Sequence, residues 1–382
     1  MKKITWIILI VILLGVAVAT REHLVRFYDT IAQVDLLKVE NVDLRLKLAA
    51  SASNVLGVSR TNRDTILLLG GRSDTTNKND VFSTGNLQTW NLISPSTTTG
   101  TTKWSPRMNA NVVYFRNMYW VVGTSHWNSP SNGIVSPPDI WKSSDGVTWN
   151  LVNSTPPFNN YYAPFTSEFS GYYEYRAVTF RDKLYVVGGK PGNNTRAVVW
   201  SSSDGVIWNV ETASAPFESR TLFSLVSFND SLYVIGGRYS MNSYGNSGVW
   251  KSSDGITWTQ VTASPAFTTA LSNAKVLNYD GKMYLLGGIL QTATSGSQST
   301  KIWSSSDGAT WTLVSSALPG SSRTGFDIRD AAVANGLLWV GDAAYSGNTN
   351  SIWSSSDGIT WVQNRTTPGW SARYGYRFLV NR

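Results

Sequence analysis

Five aspartates recur in one setting: Asp145, Asp204, Asp254, Asp307 and Asp357 each stand in a Trp-x-Ser-Ser-Asp-Gly-x-x-Trp stretch, the copies beginning at Trp141, Trp200, Trp250, Trp303 and Trp353. A carboxylate invites a metal or acid–base reading. Each copy offers one carboxylate, fewer than calcium takes, and five copies spread along the chain cannot converge on one substrate atom. An Asp before Gly in a tight turn accepts backbone N–H groups while Gly takes the left-handed conformation, so these aspartates are expected to build turns. The flanking tryptophans are expected to pack between repeat units.

Arginines form the second set. Arg107 and Arg220 each lie sixteen residues before a glycine, Gly123 and Gly236, with Arg323 and Arg373 close to that pattern, while Arg72, Lys190, Arg196 and Arg238 follow glycine positions. Loop aromatics accompany them: Trp127, Tyr161, Tyr162, Tyr172, Tyr173, Tyr239, Tyr244, Tyr345 and Trp370. Guanidinium groups suit carboxylates, and Arg with aromatics anchors recognition, so together they predict a basic, aromatic mouth. Two structural readings compete: the repeated arginines tie neighbouring units through backbone carbonyls, and the tyrosine-rich stretch 161–175 packs over a sheet.

The elements that position these residues repeat as well. A worn sixth copy, Phe82 to Trp90, precedes the five, and the six starts are 59, 59, 50, 53 and 50 residues apart. Such a period signals a repeat architecture. Between Arg176 and Val210 the unit reads as four short strands, with a tight turn at Arg181-Asp182-Lys183, a second strand ending at Gly188-Gly189 and the Asp-Gly turn before the fourth. That is an antiparallel meander, and radially repeated four-stranded meanders are β-propeller blades. The predicted fold is all-β: a six-bladed propeller over 52–382, its ring closed by Tyr376–Val380 beside Ile66–Leu69. Val55–Ser59 is left over as a seventh candidate first strand. First-to-second and third-to-fourth turns are short, whereas the other connections, such as 124–139, 151–175, 238–248 and 289–300, are long. One face is therefore scaffold, and the long-loop face is where binding residues belong.

A strand ending in a glycine pair, followed by an aromatic and then a Trp eight residues later, resembles the kelch repeat, from about Asn54 to Arg382. The Ser-Ser-Asp-Gly-x-Thr-Trp turn is similar to the Asp-box of sialidases, one residue shorter. Both resemblances imply a propeller, and the kelch resemblance implies binding on the long-loop face. Copper oxidases on kelch-like scaffolds need a cysteine–tyrosine cross-link and paired histidines; this chain has no cysteine and only His23 and His126. The sialidase resemblance implies an arginine cluster, a Tyr activated by Glu and an acidic donor. Arg107, Arg220, Arg323 and Arg373 with Glu168, Glu174, Glu211 or Glu218 supply the residue types, but the Arg-Ile-Pro start is missing.

Zero cysteines exclude disulfides and thiolate metal sites, and the net charge of +8 comes without a nucleic-acid-binding motif. Met1-Lys2-Lys3 and the apolar run Ile4–Ala19 predict a signal anchor or signal peptide over 1–20, placing the remainder outside the cytoplasmic membrane. Residues 21–51 read as a helical stalk. Phe27, Val34, Asn41 and Leu48, with Leu37 and Leu44, have coiled-coil spacing, so 24–48 would make a homo-oligomer; an amphipathic helix on a surface is the other reading. The function expected is non-catalytic recognition of a glycan or envelope protein, without cofactor or metal. The rival is a structural subunit of a surface assembly polymerised through the helix, and a sialidase-like hydrolase stands third.

Overall fold

In the second strands, Leu184-Tyr185-Val186-Val187 and its counterparts are apolar at every position rather than alternating, as expected of strands covered on both faces. The computed structural model bears this out. It describes residues 64–73, 76–86, 89–97, 102–124, 139–159, 175–189, 196–218, 220–237, 248–267, 271–291, 296–319, 326–344, 350–365 and 369–381. The chain divides into units Met1–Asn62 and Arg63–Arg382, and all described residues belong to the second. The predicted segments 1–20 and 21–51 and the strand Val55–Ser59 lie outside the described residues. No helix among the described residues is long and apolar enough to cross a membrane.

Among the described residues, six four-stranded antiparallel sheets form, numbered along the chain and each given from its innermost strand outwards. Sheet 1 is Arg377–Val380, Ile66–Ser73, Thr76–Thr84 and Asn91–Ser94. Sheet 2 is Ala110–Phe115, Met118–Thr124, Ile140–Ser143 and Asn150–Asn153. Sheet 3 is Tyr175–Phe180, Lys183–Gly189, Ala197–Ser202 and Asn209–Thr212. Sheet 4 is Ser224–Phe228, Ser231–Ile235, Val249–Ser252 and Thr259–Thr262. Sheet 5 is Lys275–Tyr279, Lys282–Leu286, Ile302–Ser305 and Thr312–Ser315. Sheet 6 is Phe326–Ala334, Leu337–Ala344, Asn350–Ser355 and Val362–Arg365. A small three-stranded sheet, Leu271–Ser272, Ile289–Gln291 and Gly296–Gln298, occupies part of the segment expected to be a loop.

The innermost strands follow one another from sheet 1 through sheet 6 and back to sheet 1, a closed circuit. Closure uses the C-terminal strand as the pattern predicts: Ile66 pairs with Val380 and Leu69 with Arg377. The core is correspondingly divided among the interfaces. Val113, Trp120 and Ile140 of sheet 2 pack with Val186, Val198 and Trp200 of sheet 3, and Ile66, Leu68 and Phe82 of sheet 1 with Trp339 and Ile352 of sheet 6. Each sheet is thus stabilised by burying both faces against its neighbours.

The Asp-Gly turns fasten these interfaces. Asp204 Oδ1 accepts the N–H groups of Val206 and Ile207 at 2.8 and 2.9 Å, Ser202 Oγ accepts that of Gly205 at 2.8 Å, and Trp208 Nε1 donates to the Gly205 carbonyl at 3.0 Å. Gly205 has φ +77°, and a Cβ there would stand 2.5 Å from Trp120 Cζ3 of the preceding sheet, so both backbone and space demand glycine. In three of the stretches the second Trp meets a Phe from the preceding connection edge-on: Trp208 with Phe158, Trp258 with Phe217 and Trp311 with Phe267, centroids 5.1–5.2 Å apart. In the worn copy Asn86 replaces the aspartate, its Oδ1 accepting the Thr89 N–H at 2.8 Å.

The turn carboxylates are held below their ordinary range. For Asp204 the N–H of Ile207 contributes most, and for Asp307 that of Thr310. At Asp145, partial desolvation pushes upward, but the N–H groups of Thr148 and Val147 and the Ser143 hydroxyl together outweigh it. Each carboxylate is engaged through Oδ1 by its own turn, which agrees with the structural reading.

Candidate functional site

Where the innermost strands begin, at the end to which the long connections attach, six side chains at matching positions link the sheets around the axis. Arg377 Nε of sheet 1 donates to the Ala110 carbonyl of sheet 2 at 3.1 Å, and Asn111 Nδ2 to Tyr175 of sheet 3 at 3.2 Å. Arg176 Nε donates to the carbonyl of Phe223, just before sheet 4, at 3.0 Å, and Ser224 Oγ to that of Ala274, just before sheet 5, at 2.7 Å. Lys275 Nζ lies 3.9 Å from Asp330 Oδ1 of sheet 6. Asp330 completes the belt: its Oδ2 accepts the Phe378 N–H at 2.7 Å, and Arg377 Nη1 stands 3.9 Å from its Oδ1.

This belt encloses an axial cavity of about 230 Å³ lined by residues of all six innermost strands. Among the described residues, Asn111, Ser224 and Asn273 give it neutral polar groups, and three cations, Arg176, Lys275 and Arg377, face one carboxylate, Asp330. The lining is therefore net positive in a partly desolvated recess, where charge interactions exceed their value in water. No group of three or more His, Asp or Glu that could hold a metal occurs among the described residues.

The arginines singled out from sequence take other places. Arg107, Arg220 and Arg373 are 0, 3 and 4% exposed. Arg107 Nη1 pairs with Asp139 at 2.7 Å and Arg373 Nη1 with Asp80 at 2.5 Å, while Arg220 Nη1 donates to the Gly236 carbonyl at 3.0 Å. Their side chains brace the second and third strands of their own sheets, whereas the expected tie was to neighbouring ones. The inter-sheet ties are made by backbone: Gly71 N–H to the Arg107 carbonyl and Arg107 N–H to that of Lys78, both at 3.0 Å. Lys103, beside the Arg373–Asp80 pair, is lowered to about 8 by burial, which the Asp80 charge only partly opposes. It donates to Ser94 Oγ at 2.9 Å and to the Pro95 carbonyl at 2.6 Å.

Arg72 is half-buried and pairs through its backbone with Tyr374, and exposed Arg196 donates to the Pro216 carbonyl. Trp370, expected among the mouth aromatics, is buried against Trp90 at 4.8 Å, where it does for sheet 1 what Phe158 does for sheet 3. Arg238, Arg323, Lys190, Trp127, Tyr161, Tyr162, Tyr172, Tyr173, Tyr239, Tyr244 and Tyr345 lie outside the described residues, as do Glu168 and Glu174. Glu211 sits on the outermost strand of sheet 3, within reach of Lys183 at 3.5 Å.

Sequence reasoning missed the belt. Asn111, Arg176, Ser224 and Lys275 each lie twelve residues before the first glycine closing the next strand, and Asp330 eleven before Gly341, the register shifting between Ile328 and Asp330. The signal was present as a spacing but not as a residue type. Asp80 and Asp139 were also legible, each two residues before the aromatic that opens the turn stretch.

The family model of the DUF6242 beta propeller domain matches residues 161–269. No curated protein matches the sequence. Among solved structures, that of YjhT aligns with a TM-score of 0.55 at 13% identity, over 77% of this chain and 96% of that one. At that identity the likeness concerns fold alone. With the closed circuit of antiparallel sheets, these findings make the chain a β-propeller.

Proposed function

We propose that the chain is a six-bladed, kelch-like propeller that acts as a non-catalytic recognition module, binding a glycan or an envelope protein at its long-loop end. The observation that carries this reading is the contrast between the ends. Asp145 and its counterparts each commit Oδ1 to two N–H groups of their own turn, the same way in every copy, whereas the opposite end has a polar axial cavity framed by six strands. A rigid frame with a recess at the end bearing the long connections is the arrangement binding sites favour. The basic start and apolar run of 1–20 support display outside the cytoplasmic membrane, on the stalk read over 21–51.

The test is a binding screen of the full-length chain against a glycan array and an envelope extract. Saturable capture of one glycan class or one protein supports recognition. Capture of nothing, with the chain folded and forming oligomers through 24–48, moves the function to a structural subunit of a surface assembly.

A further inference from the structure

Deepening that reading, we infer that the axial cavity is a subsite for a small carboxylate-bearing ligand, about the size of one sugar ring, held by Arg176, Lys275 and Arg377. Three features point to this class. The volume of about 230 Å³ accommodates a single ring. The cations approach from sheets 3, 5 and 1, so they are spread around the axis and act together on an anion placed there. Asn111 and Ser224, whose donors link the sheets, also bring oxygen acceptors to the lining that suit a hydroxylated ring.

Asp330 gives the site its handle. Its Oδ1 stands 3.9 Å from both Lys275 Nζ and Arg377 Nη1, holding the two cations at the cavity wall while cancelling part of their charge. A bound carboxylate shares those cations with Asp330, so the Asp330 charge competes with it for them. Removing the Asp330 charge therefore strengthens anion binding, and removing the Lys275 charge weakens it. An architectural belt that binds nothing predicts neither effect.

The experiment is calorimetric titration of the full-length chain and its Lys275→Gln and Asp330→Asn variants with glucuronate, with glucose as the uncharged control and inorganic phosphate as the non-sugar anion. Expected are binding of glucuronate but not glucose, affinity about tenfold weaker in Lys275→Gln and several-fold tighter in Asp330→Asn, and an affinity that falls with added salt. Phosphate binding with the same variant response keeps the anion site but assigns it to anions generally. The inference is overturned if glucuronate and phosphate both fail to bind the parent chain, or bind equally to all three proteins. Should either variant fail to fold, competition by sodium chloride against glucuronate on the parent carries the decision, a salt-independent affinity being contradictory. Recognition through the loops alone would instead show array binding by the parent that Lys275→Gln retains in full.

Discussion

Among the described residues, the five turn aspartates at the short-turn end of the propeller stand with Asp182, Asp230 and Asp280, answered by Arg116, Arg181, Lys183 and Lys282; at the long-loop end, Arg107, Arg176, Arg220, Lys275, Arg373 and Arg377 are answered by Asp80, Asp139 and Asp330. The first end is acidic and built from repeated bonds, each copy alike. The second is basic and its polar residues differ from sheet to sheet, Arg, Asn, Arg, Ser, Lys and Asp doing the same linking job. Uniformity marks the end where geometry alone is required. Variety marks the end where composition is open to a second demand, and the long connections attach there.

The largest expected effect separates two kinds of cation at the basic end. Arg107→Ala leaves Asp139 buried without its charge partner and should cost about 3–5 kcal/mol in denaturant unfolding. Lys275→Gln, whose side chain lines the cavity, should unfold close to the parent. Equal losses would make the cavity cations as architectural as Arg107.

At the acidic end, Gly205→Ala should cost about 2–4 kcal/mol, from left-handed strain plus displacement of buried Trp120. Gly281→Ala, also at positive φ (69°) but with open space around the new methyl, isolates the strain at about 1–2 kcal/mol. The difference between the two measures how far the turn clamps its neighbour.

Asp204→Ala should cost about 1 kcal/mol once solvent screening is allowed for. The pH dependence has a definite sign: the folded carboxyl titrates below the unfolded one, so its contribution is complete above about pH 4 and is lost as pH falls through the depressed folded value. Lys103 acts in the other direction at the basic end. Its folded value of about 8 lies below the ordinary 10.5, the unfolded chain binds more protons between the two, and stability should rise with pH across that window, an effect absent in Lys103→Met. The smallest effect belongs to exposed Arg116, paired with Asp182 at 2.6 Å across sheets 2 and 3: Arg116→Ala should leave the unfolding midpoint unchanged.

The scaffold was legible because its demands fix residue types. Asp-Gly is one of few ways to make the turn, and continuous apolar runs mark strands covered on both faces, so the sheets and the closing strand could be read from sequence. The belt was not legible, because a link to a neighbouring carbonyl is made equally well by Asn111, Arg176 or Ser224. Arg107 misled for the converse reason: it stands four residues before Asn111 and shares the residue type of Arg176, yet its register turns it into the sheet and onto Asp139. Trp370 looked like a loop aromatic until its place at the joint between sheets 6 and 1 gave it Trp90 as a partner.

The absence of cysteine from the chain permits the most direct test of the contrast between the ends. A single cysteine in place of Ser224, at the cavity, or of exposed Thr148, on a short turn, can be alkylated with a bulky maleimide and each labelled chain assayed for capture of the ligand found in the screen. Loss of capture with the label at 224, and full capture with the label at 148, is the predicted result; capture blocked at 148 and untouched at 224 would contradict the assignment of recognition to the long-loop end.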